Sequence, residues 1–227
     1  MNRDDERIIE GMRRQSEIRR GLPAGTRRIG WKSAFGTEGG MSYLGIDQPL
    51  TGYLTGATLA DPGSTVEVSH WAVPLIEAEV AVRVGRSLEP GVGAEEAAGA
   101  IGAVAAAIEL IDLGSTESVS EVVAGNIFHR QFLVGEFVDC DPEDLDQVRI
   151  AVTANGSVGE PSDPKLVIGD FGPIVAAIAD QADLAGDRLE AGDVIITGAA
   201  VPPGPVASGD RFLVTLQNGS SVSVRVG

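Results

Sequence analysis

Glutamates stand inside two of the most apolar stretches of this 227-residue chain, and their placement constrains the fold more than any other feature. Residues 75–84, LIEAEVAVRV, alternate in character with period two, the pattern of a β-strand. Successive strand side chains point to opposite faces, so Glu77 and Glu79 share one face and Ile76, Ala78 and Val80 take the other. A third glutamate, Glu109, interrupts residues 105–113, AAAIELIDL, which read as a buried strand. Adjacent carboxylates repel unless a cation or proton compensates them, and an unpaired buried carboxylate costs several kcal/mol. Three carboxylates without cysteine ligands and with only two histidines in the chain favour a hard cation, Mg²⁺ or Mn²⁺. The spacing also allows a plainer arrangement, with Glu77 and Glu79 on a solvated sheet face and Glu109 paired to an arginine such as Arg83.

Composition limits the remaining classes. Hydrophobic residues at 43% and charged residues at 22% are ordinary for a globular chain, which rules against general disorder. Thirty glycines with only 4% aromatics suggest short strands and tight turns rather than long helices. A formal charge of −16 argues against nucleic acid as a partner. The single cysteine, Cys140, excludes an intrachain disulfide and a cysteine-based zinc site. The N-terminus lacks the apolar segment of a secretory signal, and the apolar window 97–113 is broken by Glu109 and Asp112. A soluble, cytoplasmic protein without membrane partners is expected.

Residues 1–28 read as an N-terminal helical arm, with Ile8, Ile9, Met12 and Ile18 at roughly helical spacing and an end near Gly21-Leu22-Pro23. Such a helix packs on the body or on a partner subunit. Residues 29–227 read as one catalytic domain, mainly β with a few helices. Residues 29–53 read as a strand, a mobile glycine-rich loop and a turn at Asp47-Gln48-Pro49. Strands are expected at 64–70, 75–84, 105–113 and 132–137, and helices at 94–104, 115–123 and 171–182. A hairpin turning at Asn155-Gly156 and three tail strands complete the reading.

Lys32 is one of two lysines and follows Trp31. It is a candidate acid/base or carboxylate-binding group, or else a surface lysine at a strand end. Asp47 taken alone starts a turn.

The strings Gly30-Trp31-Lys32, LGIDQP at 44–49, PLIEAEVAV at 74–82, AIELID at 107–112, and GDVIITG at 192–198 followed by PPGPVASGD match one pattern in order and spacing. The chain resembles the hydratase/decarboxylase branch of the fumarylacetoacetate hydrolase superfamily. That branch includes 2-keto-4-pentenoate hydratase, 2-oxohept-3-ene-1,7-dioate hydratase and 4-oxalocrotonate decarboxylase. The resemblance implies a mixed β-sandwich roll with flanking helices and Mg²⁺ or Mn²⁺ held by Glu77, Glu79 and Glu109. It implies acid/base or substrate-binding roles for Lys32 and Asp47, and places Gln48, Thr197 and Gly198 at the substrate. It further implies a homo-oligomer, with a pathway enzyme as a possible partner, and a role in aromatic catabolism.

The expected reaction is hydration of a 2-hydroxy-2,4-dienoate to a 4-hydroxy-2-oxo acid. Decarboxylation of a vinylogous 2-oxo diacid, hydrolysis of an acylpyruvate and a non-catalytic family member are the alternatives. The chain departs from the family pattern at Ile111-Asp112-Leu113-Gly114, at Gly125-Asn126-Ile127-Phe128-His129 and in residues 33–43, and its N-terminus is short. Asn126, His129 and Arg130 are therefore candidate substrate contacts, with His129 a proton shuttle or a structural group and Arg130 a carboxylate clamp.

Overall fold

The computed structural model describes residues 5–227. Two sheets make the body of a mixed β-sandwich roll. The larger runs Leu50–Thr55, Arg28–Ala34, Val194–Ala199, Pro74–Val84, Ile101–Asp112 and His129–Val134. Gly204–Pro205 adds to Pro74–Val84, and Val138–Asp139 adds to Ile101–Asp112. Arg28–Ala34 and Val194–Ala199 are parallel, whereas the other pairings in this sheet are antiparallel. The smaller sheet runs Thr65–Val66, Ser221–Val226, Arg211–Leu216, Ile150–Ala154 and Ser157–Val158.

The sheets meet over Ile101–Asp112, whose alanines make that approach possible. Ala103, Ala105, Ala106 and Ala107 are fully buried. Ser220 Oγ reaches the Ala106 amide at 3.0 Å and donates to the Glu136 carbonyl at 2.6 Å. Alanine favours helices in isolation, which is why residues 94–104 read as one. Here the helix is confined to Ala94–Ala98, and the strand begins at Ile101, opposite Val84. Pairing and two-sided burial override the local preference.

The glycine-rich stretch after Lys32 also differs from expectation, because it contains the helix Glu38–Leu44. Thr37 Oγ1 accepts from the Gly40 amide at its start, and Gly45 closes its end in a left-handed conformation. The strand read at 64–70 contracts to Thr65–Val66, and that at 132–137 shifts to His129–Val134. The short helix lies at Val119–Ala124, capped by Ser118, and the long helix at Phe171–Leu184. Asn155 and Gly156 both take positive φ, the conformation of a tight hairpin turn.

The helix Glu6–Arg20 ends at Gly21 and packs on the chain's own body through one side of its apolar stripe, while Ile9 and Ile18 stay exposed. Ile8 and Met12 are fully buried. Gln15 Nε2 donates to the carbonyls of Thr51 at 3.1 Å and Val123 at 2.7 Å, and Ser16 Oγ to that of Ala185. No helix among the described residues is long and apolar enough to cross a membrane. Gln15→Ala removes a buried donor from two buried carbonyls, so it should cost about 1–3 kcal/mol of stability. Denaturant unfolding checks this, and an unchanged midpoint would mean that the helix is only loosely seated.

Candidate active site

A cavity of about 460 Å³ opens beside the middle of the larger sheet. Its lining includes Lys32, Ser33, Phe35, Thr37, Glu77, Phe128, Thr197 and Gly198, and apolar side chains make most of the rest. Glu77 and Glu109 are directly opposed across the antiparallel pair Pro74–Val84 and Ile101–Asp112. Glu79 lies two residues along the same face, so the strand period brings all three carboxylates together. Each offers an oxygen within 4.8 Å of those of the others. Glu77 is half-buried and faces the cavity, while Glu79 and Glu109 are fully buried behind it.

The strand Val194–Ala199 breaks register between Ile196 and Ala199, a bulge that lifts Thr197 and Gly198 out of the ladder. Gly198 adopts φ +101, a conformation open to glycine, and its amide donates to Glu79 Oε2 at 2.7 Å. Thr197 Oγ1 donates to the Val80 carbonyl at 2.9 Å. Lys32 Nζ donates to Glu109 Oε1 at 2.5 Å and to the Ile127 carbonyl at 3.3 Å. Gly52 makes room for this lysine, because a Cβ there would fall 2.8 Å from Lys32 Cγ and 2.7 Å from Asn126 Oδ1. The plainer pairing of Glu109 with Arg83 does not occur: Arg83 lies 4.8 Å above the Phe137 ring and 3.5 Å from Asp139.

Electrostatics separate the three carboxylates. Burial and then the neighbouring Glu109 push Glu77 up to about 7. Burial, with Glu109 and Glu77 alongside, raises Glu79 well above the ordinary carboxylate range. Burial also acts upward on Glu109, but Lys32 and His129 together outweigh it and hold this carboxyl down to about 2. Two buried oxygens, Glu79 Oε1 and Glu109 Oε2, have no hydrogen-bond partner among the described residues. Buried polar atoms are rarely left so, and an all-oxygen cluster of this kind suits a hard divalent cation.

His129 Nδ1 lies 2.6 Å from Glu109 Oε1, and its Nε2 lies 3.0 Å from Thr58 Oγ1. Burial lowers the imidazole below its ordinary value, so the ring is neutral at pH 7 and donates from Nδ1 to the carboxylate. It stands behind Glu109 rather than in the cavity wall.

Four other candidates are not brought into the cavity. Asn126 is a strut: its Oδ1 accepts from the Tyr53 amide at 2.8 Å, and its Nδ2 donates to the Tyr53 carbonyl at 3.0 Å. Arg130 turns outward to Asp112 at 3.5 Å and to the His129 carbonyl at 3.2 Å, so it is not placed as a clamp. Asp47 is exposed at the turn after Glu38–Leu44, and Gln48 is buried away from the cavity lining. Thr58, the Ile127 carbonyl and the walls Phe35 and Phe128 were not anticipated. A backbone carbonyl leaves no trace in a sequence, and Thr58 reads as one more turn residue.

The model of the fumarylacetoacetate hydrolase C-terminal family matches residues 39–227, and the chain belongs to that family. A 4-oxalocrotonate decarboxylase of Pseudomonas sp is 29% identical over 221 residues, covering 93% of this chain and 86% of that protein. A 2-hydroxyhexa-2,4-dienoate hydratase of Comamonas testosteroni is 28% identical over 211 residues, covering 89% and 79%. The structure of 4-oxalocrotonate decarboxylase from Pseudomonas putida G7, complexed with magnesium and adipate, superposes with a TM-score of 0.84 at 30% identity. That match covers 94% of this chain and 83% of the other.

The raised carboxyl of Glu77 has a consequence for stability. An unfolded glutamate ionises near 4.5 and the folded one near 7, so without a cation the native state loses stability as pH rises through that window. Glu77→Gln removes this penalty. In EDTA its melting temperature should gain on the wild type between pH 5 and pH 8, by an amount equivalent to about 1–3 kcal/mol. A difference independent of pH would contradict the electrostatics described for Glu77.

Proposed function

We propose that this chain is a divalent-metal-dependent lyase acting on a 2-oxo acid, most directly a hydratase that converts a 2-hydroxy-2,4-dienoate to a 4-hydroxy-2-oxo acid. The observation that carries the reading is the convergence of Glu77, Glu79 and Glu109, with two unpartnered buried oxygens, at the base of an otherwise apolar cavity that also receives Lys32. Those three glutamates would hold Mg²⁺ or Mn²⁺. Bound there, the ion supplies Lewis-acid polarisation of a 2-oxo group and charge neutralisation.

The chain's own groups supply the rest. Among the described residues, Lys32 Nζ is the one lysine or arginine donor in the cavity lining, and its bonds to Glu109 and the Ile127 carbonyl orient it for proton transfer to and from the substrate. His129 positions Glu109 through Nδ1 and is itself held by Thr58. The bulge at Thr197-Gly198 positions Glu79 through the Gly198 amide. Apolar walls keep bulk water from the conjugated system while one water adds. Lys32 rather than the exposed Asp47 is assigned the acid/base role. Residues 29–227 are assigned as the catalytic unit of a cytoplasmic enzyme, with residues 1–28 as an arm. Decarboxylation of a vinylogous 2-oxo diacid is the second reading, favoured by the relatives that carry that name, and it would draw on the same carboxylates and lysine.

Incubation with 2-hydroxypenta-2,4-dienoate and with 4-oxalocrotonate, with Mg²⁺ or Mn²⁺ present, separates the two. Addition of water raises the substrate mass by about 18 units, and loss of CO₂ lowers it by about 44. EDTA, Glu109→Gln and Lys32→Met should each lower the rate by roughly a hundredfold to a thousandfold. Turnover that survives EDTA and Glu109→Gln would remove the metal reading.

A further inference from the structure

We infer that the acid taken by this site is a mono-acid with an apolar tail rather than a diacid, an inference that rests on the 2-oxo acid reading above. Away from the carboxylates, the cavity is walled by Leu75, Ile111, Leu113, Phe128, Val201 and Pro202. Among the described residues Lys32 is the one cation in the lining, and its bonds to Glu109 and the Ile127 carbonyl hold it beside the carboxylates rather than along the apolar walls. Cations on neighbouring segments are engaged elsewhere: Arg130 lies 3.5 Å from Asp112, and Lys165 lies 2.5 Å from Asp146. Neither lines the cavity. The remaining polar side chains of the lining are three hydroxyls and Glu77. Thr197 donates to the Val80 carbonyl, Thr37 accepts from the Gly40 amide, Ser33 and Thr37 offer neutral hydroxyls without charge, and a glutamate repels an anion.

Charge points the same way. With all three glutamates ionised, Lys32 leaves two negative charges at the base, and a divalent cation brings the sum to zero. A divalent cation held by the three glutamates would take the first carboxylate of a substrate. A second would lie against aliphatic and aromatic carbon with no compensating charge, which strongly disfavours its burial. An alkyl or alkenyl tail gains there instead, by roughly threefold to fourfold in affinity for each buried methylene.

Calorimetric titration of the Mn²⁺-loaded full chain with oxalate, pyruvate, 2-oxohexanoate and 2-oxoadipate tests this without turnover. Oxalate reports the head-group site alone. The two six-carbon acids differ in whether the tail ends in a methyl or a carboxylate. We expect 2-oxohexanoate to bind more tightly than pyruvate and at least about tenfold more tightly than 2-oxoadipate. Leu113→Arg, which adds a cation to the wall, should shift that ratio at least about tenfold toward 2-oxoadipate. If oxalate binds but 2-oxoadipate equals or exceeds 2-oxohexanoate on the wild type, the inference is overturned and the 2-oxo acid reading stands. A tail that adds nothing over pyruvate overturns the inference in the same way. If oxalate itself fails to bind, the reading falls and takes the inference with it.

Discussion

The pairing of Lys32 with Glu109 depends on the shape of the larger sheet, and the site depends on that pairing. Both groups are buried, and their strands are separated by two others, Val194–Ala199 and Pro74–Val84. Adjacent strands lie about 4.8 Å apart, so three spacings put these two backbones roughly 14 Å apart on a flat sheet. Side chains stand roughly perpendicular to a sheet, and on a flat one the two tips would stay far out of contact. Their separation of 2.5 Å therefore requires the sheet to curl toward this face. The breaks of register at Arg28/Gly30 and Ile196/Ala199 fall on the two strands where such a curl is needed. Curl, cavity and ion pair are one feature seen at three scales. Removing the lysine would leave Glu109 with only a neutral imidazole for company.

What could be read from the sequence divides along that line. Strand period and apolar context are local, so Glu77 and Glu79 were legible as neighbours on one face and Glu109 as a buried carboxylate needing a partner, while the family resemblance joined the three into one site. Lys32 stood out through the rarity of lysine and its place after Trp31, and Thr197 and Gly198 through a motif that matched the family. The partners were not legible. His129 reaches Glu109 only because the strands Ile101–Asp112 and His129–Val134 pair with a break in register next to it. Asn126 reads as a polar contact, yet both ends of its amide are taken by the backbone of Tyr53, 73 positions away. Arg130 follows His129 along a strand, so alternation turns it outward to Asp112.

The segments whose structure departs from local preference share a different cause. Alanines at 94–104 and glycines at 35–47 carry weak instructions, and the surroundings decide. Small side chains admitted the second sheet over Ile101–Asp112, whereas Thr37 and Gly45 supplied the two caps that turn a glycine-containing stretch into a helix. The consequence for the site is direct. That helix and the loop before it form one wall of the cavity through Phe35, Thr37 and Gly40.

Strain gathers at another part of the lining. Asn126, Ile127 and Phe128 adopt φ of 57, 50 and 63, three consecutive left-handed residues that include a β-branched isoleucine. Each such residue costs about 1–2 kcal/mol relative to the right-handed form. Four contacts hold the turn in place: the Asn126 amide on Tyr53, the Ile127 carbonyl on Lys32, the Phe128 ring in the cavity wall and the His129 ring on Glu109. Relaxing the three φ values would re-aim the Ile127 carbonyl and the His129 ring together, and would loosen both ends of the Lys32–Glu109–His129 chain. The strained turn and the buried ion pair therefore stabilise each other. This coupling gives a physical reason for a left-handed isoleucine to persist beside the carboxylates.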